Sequence, residues 1–141
     1  MRWKRPRKKA EKQKIFKVIR FLSSELEAQT VLSQIIMGYA DLSALGIIHR
    51  DLKPANIFIK TNQMKIADFG FAMLAEDSNA ELNSEFNVGS SYYMAPEALK
   101  DNKYSAKSDI WAIGVIAYEL VFGSQPWRSP IDKVLYEAIQ K

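Results

Sequence analysis

The stretch from Ser108 to Phe122 constrains the fold more than any other part of the chain, because it is apolar nearly all round. That pattern predicts a helix enclosed on every side by other parts of one domain. A chain of 141 residues with 48% hydrophobic content is large enough to supply the enclosure. The most apolar run, Ile110 to Phe122, is shorter than the roughly 20 residues that cross a bilayer, and it contains Glu119. It therefore reads as a buried core helix. Gly123 closes it, Pro126 and Pro130 punctuate the chain beyond it, and a last helix is predicted from near Ile131 to the end.

A second helix is predicted from Ser24 to Leu45, with Leu26, Val31, Ile35, Ile36, Tyr39 and Leu42 on its apolar face. Ser23 and Ser24, with Glu25 and Glu27 behind them, mark its start, and Gly46 ends it. After Gly46 come two short β-like pieces, Ile57 to Lys60 and Met64 to Ala67, separated by Thr61-Asn62-Gln63; they predict a small hairpin. Glu76 to Asn87 is polar without a sustained apolar period and reads as a mobile loop.

Charge divides the chain unevenly. Eight Lys or Arg lie between Arg2 and Lys14 against Glu11 alone, so this segment carries +7 and the remainder −3, for a net +4. Residues 1–14 read as a disordered basic arm that could touch acidic partners through nonspecific electrostatics. There is no cysteine, hence no disulfide framework and no thiolate zinc site. The basic start leads into no apolar stretch and cleavage site, so the reading is a cytoplasmic protein without a transmembrane segment, the arm offering a route to the nucleus.

The chemistry is concentrated in three runs: His49-Arg50-Asp51-Leu52-Lys53-Pro54-Ala55-Asn56, then Asp68-Phe69-Gly70, then Ala95-Pro96-Glu97. Each alone is a weak signal. Their order, with a hairpin between the first two and a polar loop between the last two, resembles the protein kinases over about residues 24–140. Phosphoryl transfer needs an aligned, partly deprotonated acceptor hydroxyl and neutralisation of spreading negative charge. The resemblance implies that Asp51 accepts or orients the substrate hydroxyl proton and Lys53 neutralises the transferring phosphoryl group. It implies that Asn56 and Asp68 give Mg²⁺ its oxygen ligands, with Phe58 as a floor beneath the adenine ring of ATP. His49, Arg50, Ser90, Glu97 and Asp109 are implied supports, Asp109 by accepting backbone amides of the His49-Arg50-Asp51 turn. Lys53 and Ser90 together point to serine/threonine rather than tyrosine kinases.

Two features depart from the kinase pattern. The position that usually carries the loop phosphate, eleven before Glu97, is Phe86; Ser84 is the nearest hydroxyl, and Glu85 offers a built-in negative charge. Glu119 matches a position that holds arginine in basic-directed kinases, yet Ala55 replaces the glutamate often found in their catalytic loop. The runs Lys65 to Ala72 and Tyr93 to Glu97 look similar to autophagy-initiating and calmodulin-dependent-like kinases.

The first glycine is Gly38, so no glycine-rich phosphate loop stands upstream. Lys17 is only 34 positions before Asp51, too close to be the upper-lobe lysine. The expected architecture is mostly α with a small β-hairpin: the C-terminal lobe of the kinase-like α+β fold, N-terminal lobe absent. Residues 15–141 form a partial domain cut before its final helices, where the arginine partner of Glu97 would lie. Two functional readings are open. One is a serine/threonine kinase acting on protein hydroxyls with Mg-ATP once an upper lobe or partner kinase is supplied. The other is a non-catalytic truncated lobe that binds and competes.

Overall fold

The computed structural model describes residues 13–14, 24–75, 81–85 and 87–141. Helix α1 (Glu25–Ala44) starts where capping chemistry places it: the Ser24 hydroxyl accepts the Glu27 N–H at 3.3 Å, and Glu25 and Glu27 lie in the first turn beside the positive end of the helix dipole. Gly46, at φ 69°, carries the chain out of the helix in a left-handed conformation that suits glycine. Ala28, Val31, Ile35 and Tyr39 are buried at helical spacing. Leu26 and Ile36, predicted on that apolar face, are instead 71% and 49% exposed, because they fall outside the stripe that the other four define.

The long core helix, α3, runs from Ala106 to Phe122. It begins two residues earlier than predicted because Ser105 and Ser108 form a reciprocal capping box: Ser105 N–H donates to Ser108 Oγ at 3.0 Å, and Lys107 N–H donates to Ser105 Oγ at 3.2 Å. Gly123, at φ 76°, ends it. The expectation of enclosure on every side is corrected. Ala112, Ile113, Val115, Ile116 and Leu120 are buried, but Ile110, Val121 and Phe122 are 58%, 52% and 66% exposed. Helix α1 packs on the buried face, and Val31, Ile35, Leu52, Ile57, Ile116 and Leu120 form the main core. Each such fully buried aliphatic side chain contributes about 1.5–3 kcal/mol.

Strands β3 (Ile57–Lys60) and β4 (Gln63–Ile66) form the predicted hairpin, with Ile57 opposite Ile66 and Lys60 opposite Gln63. Thr61 and Asn62 alone make the turn, at φ 50° and 60°, the twist that favours two-residue hairpins. The predicted three-residue separator is thus shorter by one. A third strand, β1 (Gln13–Lys14), pairs with β3 through Gln13 opposite Ile59 and Lys14 opposite Phe58. Assigning all of residues 1–14 to a disordered arm is therefore wrong for its last two residues, whose backbones enter the sheet. Residues 1–12 lie outside the described residues.

Two further ribbons were not legible. Strand β2 (Ile47–Ile48) pairs with β5 (Met73–Leu74), and β6 (Leu82–Asn83) pairs with β7 (Lys103–Tyr104). β6 lies inside the segment read as an unstructured loop; residues 76–80 and Phe86 of that segment are outside the described residues. Helix α2 (Pro96–Asp101) starts with proline at its first position and ends at left-handed Asn102, φ 53°. It joins Ile48, Met94 and Tyr104 in a second core through Ala98. The last helix, α4 (Asp132–Ile139), is entered at Ile131 as predicted. Among the described residues, no helix is long and apolar enough to cross a membrane.

Candidate active site

The turn from His49 to Asn56 hangs on a carboxylate from the first turn of α3. His49 N–H and Arg50 N–H donate to Asp109 Oδ2 and Oδ1 at 2.7 and 3.0 Å. Arg50 is held at φ 66°, an uncommon conformation for a side-chain-bearing residue, and the paired bonds to Asp109 help hold the backbone there. Burial pushes the Asp109 carboxyl above the usual range, while the two backbone donors pull it back down. The fully buried His49 ring links this turn to the next motif. Its Nδ1 accepts Asp51 N–H at 3.3 Å, its Nε2 faces Ala67 O at 3.1 Å, and the ring lies 5.2 Å from that of Phe69. Accepting at one nitrogen assigns the proton to the other, so Nε2–H donates to Ala67.

Asp51 is buried at 5% exposure, and its two oxygens differ. Oδ2 pairs with Lys53 Nζ at 2.9 Å and accepts Asn56 Nδ2 at 2.9 Å. Oδ1 is buried without a hydrogen-bond partner among the described residues. Lys53 Nζ also donates to Ser90 Oγ at 2.7 Å, which brings the third motif's approach onto the first. Asn56 spends its second amide hydrogen on the Asp51 carbonyl at 2.9 Å, and among the described residues nothing donates to its side-chain oxygen, which can accept or ligate. Asp68 stands at φ 66°, exposed, with no hydrogen bond or ion pair among the described residues. A Cβ on Gly70 would come within 3.4 Å of Asp68 Oδ1, so glycine keeps that side of the carboxylate open. Phe58 lies half-buried on β3. Asp51, Lys53, Asn56 and Ser90 thus form one bonded group with His49, Arg50 and Asp109 beneath it, whereas Asp68 is joined to it indirectly, through Ala67 and His49.

Gly89 seals the group from above. At φ 109°, any Cβ there would meet the Arg50 carbonyl oxygen at 2.5 Å. Gly89→Ala should therefore lower the stability of the chain by about 2 kcal/mol, through overpacking and backbone strain together. Urea unfolding measures it; a variant as stable as wild type would mean that this approach is not tight.

Glu97 sits half-buried in the first turn of α2 and has no ion pair among the described residues. Glu119, read as a possible arginine holder, is 4% exposed, and both its oxygens are engaged: Oε2 accepts the Tyr93 hydroxyl at 2.6 Å and Oε1 accepts Gln125 Nε2 at 2.7 Å. Burial and the Glu119 carboxylate both push the Tyr93 phenol well above its ordinary range. Neither Gln125 nor Tyr104 was singled out by sequence reasoning, since neither belongs to a catalytic motif. Among the described residues no group of three or more His, Asp or Glu side chains makes a ready metal cage.

The family model for the protein kinase domain matches residues 8–141. The chain is 41% identical over 107 residues to serine/threonine-protein kinase ATG1c of Arabidopsis thaliana, covering 73% of this chain and 14% of that protein. It is 38% identical to CDPK-related kinase 5 of the same plant and 35% identical to mouse serine/threonine-protein kinase 33, each over 84% of this chain and over 20% and 26% of those proteins. The chain thus spans between 14% and 26% of the length of these relatives. With the matched span containing all three motifs and the bonded group they build, the chain belongs to the protein kinase family, among its serine/threonine members.

Proposed function

We propose that this chain carries the catalytic turn of a serine/threonine protein kinase, transferring the γ-phosphate of Mg-ATP to protein serine and threonine hydroxyls. The observation that carries the reading is the division of labour at Asp51. One oxygen is fixed by Lys53 and Asn56, and the other, Oδ1, is a buried acceptor with no donor among the described residues. A buried unsatisfied acceptor costs about 1–3 kcal/mol, so a site that retains one suits an incoming donor, here the substrate hydroxyl. Lys53, bridging Asp51 and Ser90, is positioned to balance charge on the transferred group.

The donor chemistry of Asn56 and Asp68 fits Mg²⁺, which takes one or two protein oxygens and completes its shell with phosphates and water. Among the described residues, nothing pairs with the Asn56 side-chain oxygen or the exposed Asp68 carboxylate. Bound there, the ion would neutralise phosphate charge and orient the group to be transferred. Phe58 is the proposed floor for adenine. ATP also needs a phosphate-covering loop and a lysine that residues 15–141 do not supply, so this segment acts as the lower lobe of a domain whose upper lobe comes from elsewhere. The exposed Leu26, Met37 and Leu74 support this, as apolar surface suited to covering by further protein. A second reading is a non-catalytic lobe that binds partner proteins through the same exposed apolar surface.

Grafting residues 24–141 in place of the matching stretch of one of these relatives separates the two. The kinase reading expects transfer from Mg-ATP to a serine/threonine protein substrate, lost roughly a thousandfold on Asp68→Ala. A folded graft without transfer would support the binding lobe instead.

A further inference from the structure

The segment that carries Ser90 to Lys53 is held by one side chain from outside the three motifs. Tyr104, on β7, is 2% exposed. Its hydroxyl accepts Val88 N–H at 2.9 Å and faces Asn87 Oδ1 and Val88 O at 3.0 and 2.9 Å, so its own hydrogen always has a partner. Its ring lies 5.3 Å from the Arg50 guanidinium, whose Nε donates to Phe71 O at 2.5 Å. Around this phenol the backbone is tied as well: β6 pairs with β7, and Ser84 N–H donates to Asn102 O at 3.1 Å. Immediately after Val88 comes Gly89, pressed on the Arg50 carbonyl, and then Ser90, bonded to Lys53.

From this continuity we infer that Tyr104 is a positioning residue: its neutral phenol clasps residues 87–88 and thereby seats Gly89 and Ser90 on the Arg50–Lys53 turn. The inference rests on the kinase reading for its functional meaning but not for its geometry. Arg50 is already engaged by a loop carbonyl and an aromatic ring, and the usual phosphate position is Phe86, which has no hydroxyl. The clasp therefore does with an uncharged hydroxyl what a loop phosphate paired with Arg50 does when one is added.

Amide exchange of the 141-residue chain, followed by NMR, tests the clasp without any phosphate transfer, so its failure is distinct from failure of the kinase reading. In wild type the Val88 amide should exchange at least about tenfold slower than an unstructured amide. Tyr104→Phe keeps the ring beneath Arg50 and should remove roughly that tenfold protection at Val88 while leaving α1 and α3 unchanged. Ser84→Ala and Glu85→Gln should leave Val88 protected. The inference is overturned if Val88 is unprotected in wild type, or if Tyr104→Phe leaves its exchange unchanged. It is equally overturned if the loss spreads through α1 and α3, which would make Tyr104 a core residue only, or if Ser84→Ala or Glu85→Gln matches its effect.

Discussion

Asp109→Ala is expected to lower the unfolding free energy by about 3 kcal/mol. The substitution leaves two backbone donors, the buried His49 N–H and the part-buried Arg50 N–H, without the acceptors they meet at 2.7 and 3.0 Å. Each orphaned donor costs about 1–3 kcal/mol. Part of this is offset because the carboxylate is itself disfavoured by burial, which is what raises its pKa. The loss also falls on a strained residue, since Arg50 at φ 66° depends on the same two bonds. Urea unfolding followed by tryptophan fluorescence reads the change directly. A variant within 1 kcal/mol of wild type, taking ~1 kcal/mol as one ordinary hydrogen bond, would show that the turn is held by something other than Asp109.

The sequence made some of this plain and left the rest hidden for physical reasons. Helix α1 announces itself through its serine cap, first-turn acids and closing Gly46, and α3 through its apolar run and closing Gly123, all of them local signals. The motif runs predicted the group around Asp51 because the family resemblance attaches roles to residue types at fixed spacing. Hidden were the features that depend on long-range packing. The two-residue ribbons are too short for a period of two to be visible, and β6 pairs with β7 across the whole of residues 84–102. Apolar content at Ile110 and Phe122 predicted burial, but which face of a nearly uniform helix meets α1 is decided by the neighbouring elements. Tyr104 was invisible because a tyrosine in a short strand is ordinary; only its placement beneath Arg50 and against Val88 gives it a role.

Glu119 shows the opposite case, where a family position suggested more than the side chain can do. Its carboxylate matched an arginine-holding site, yet Tyr93 and Gln125 occupy both oxygens in a buried network. A carboxylate already satisfied at both oxygens gains less from an arginine, because existing bonds must first be given up.

The most direct test of the central claim is the turnover of the grafted kinase domain with Asp51→Asn, measured as kcat and KM separately. Asparagine keeps the size of the side chain and an oxygen for Asn56, but it removes the charge and basicity of the carboxylate whose Oδ1 meets no donor among the described residues. Transition-state roles lower kcat, whereas nucleotide binding rests on other residues. The expected result is a fall in kcat of about a thousandfold, with KM for ATP within roughly threefold of the unsubstituted graft. A graft that keeps kcat within about tenfold would contradict the claim, because Asp51 would then not be the group that takes the substrate hydroxyl.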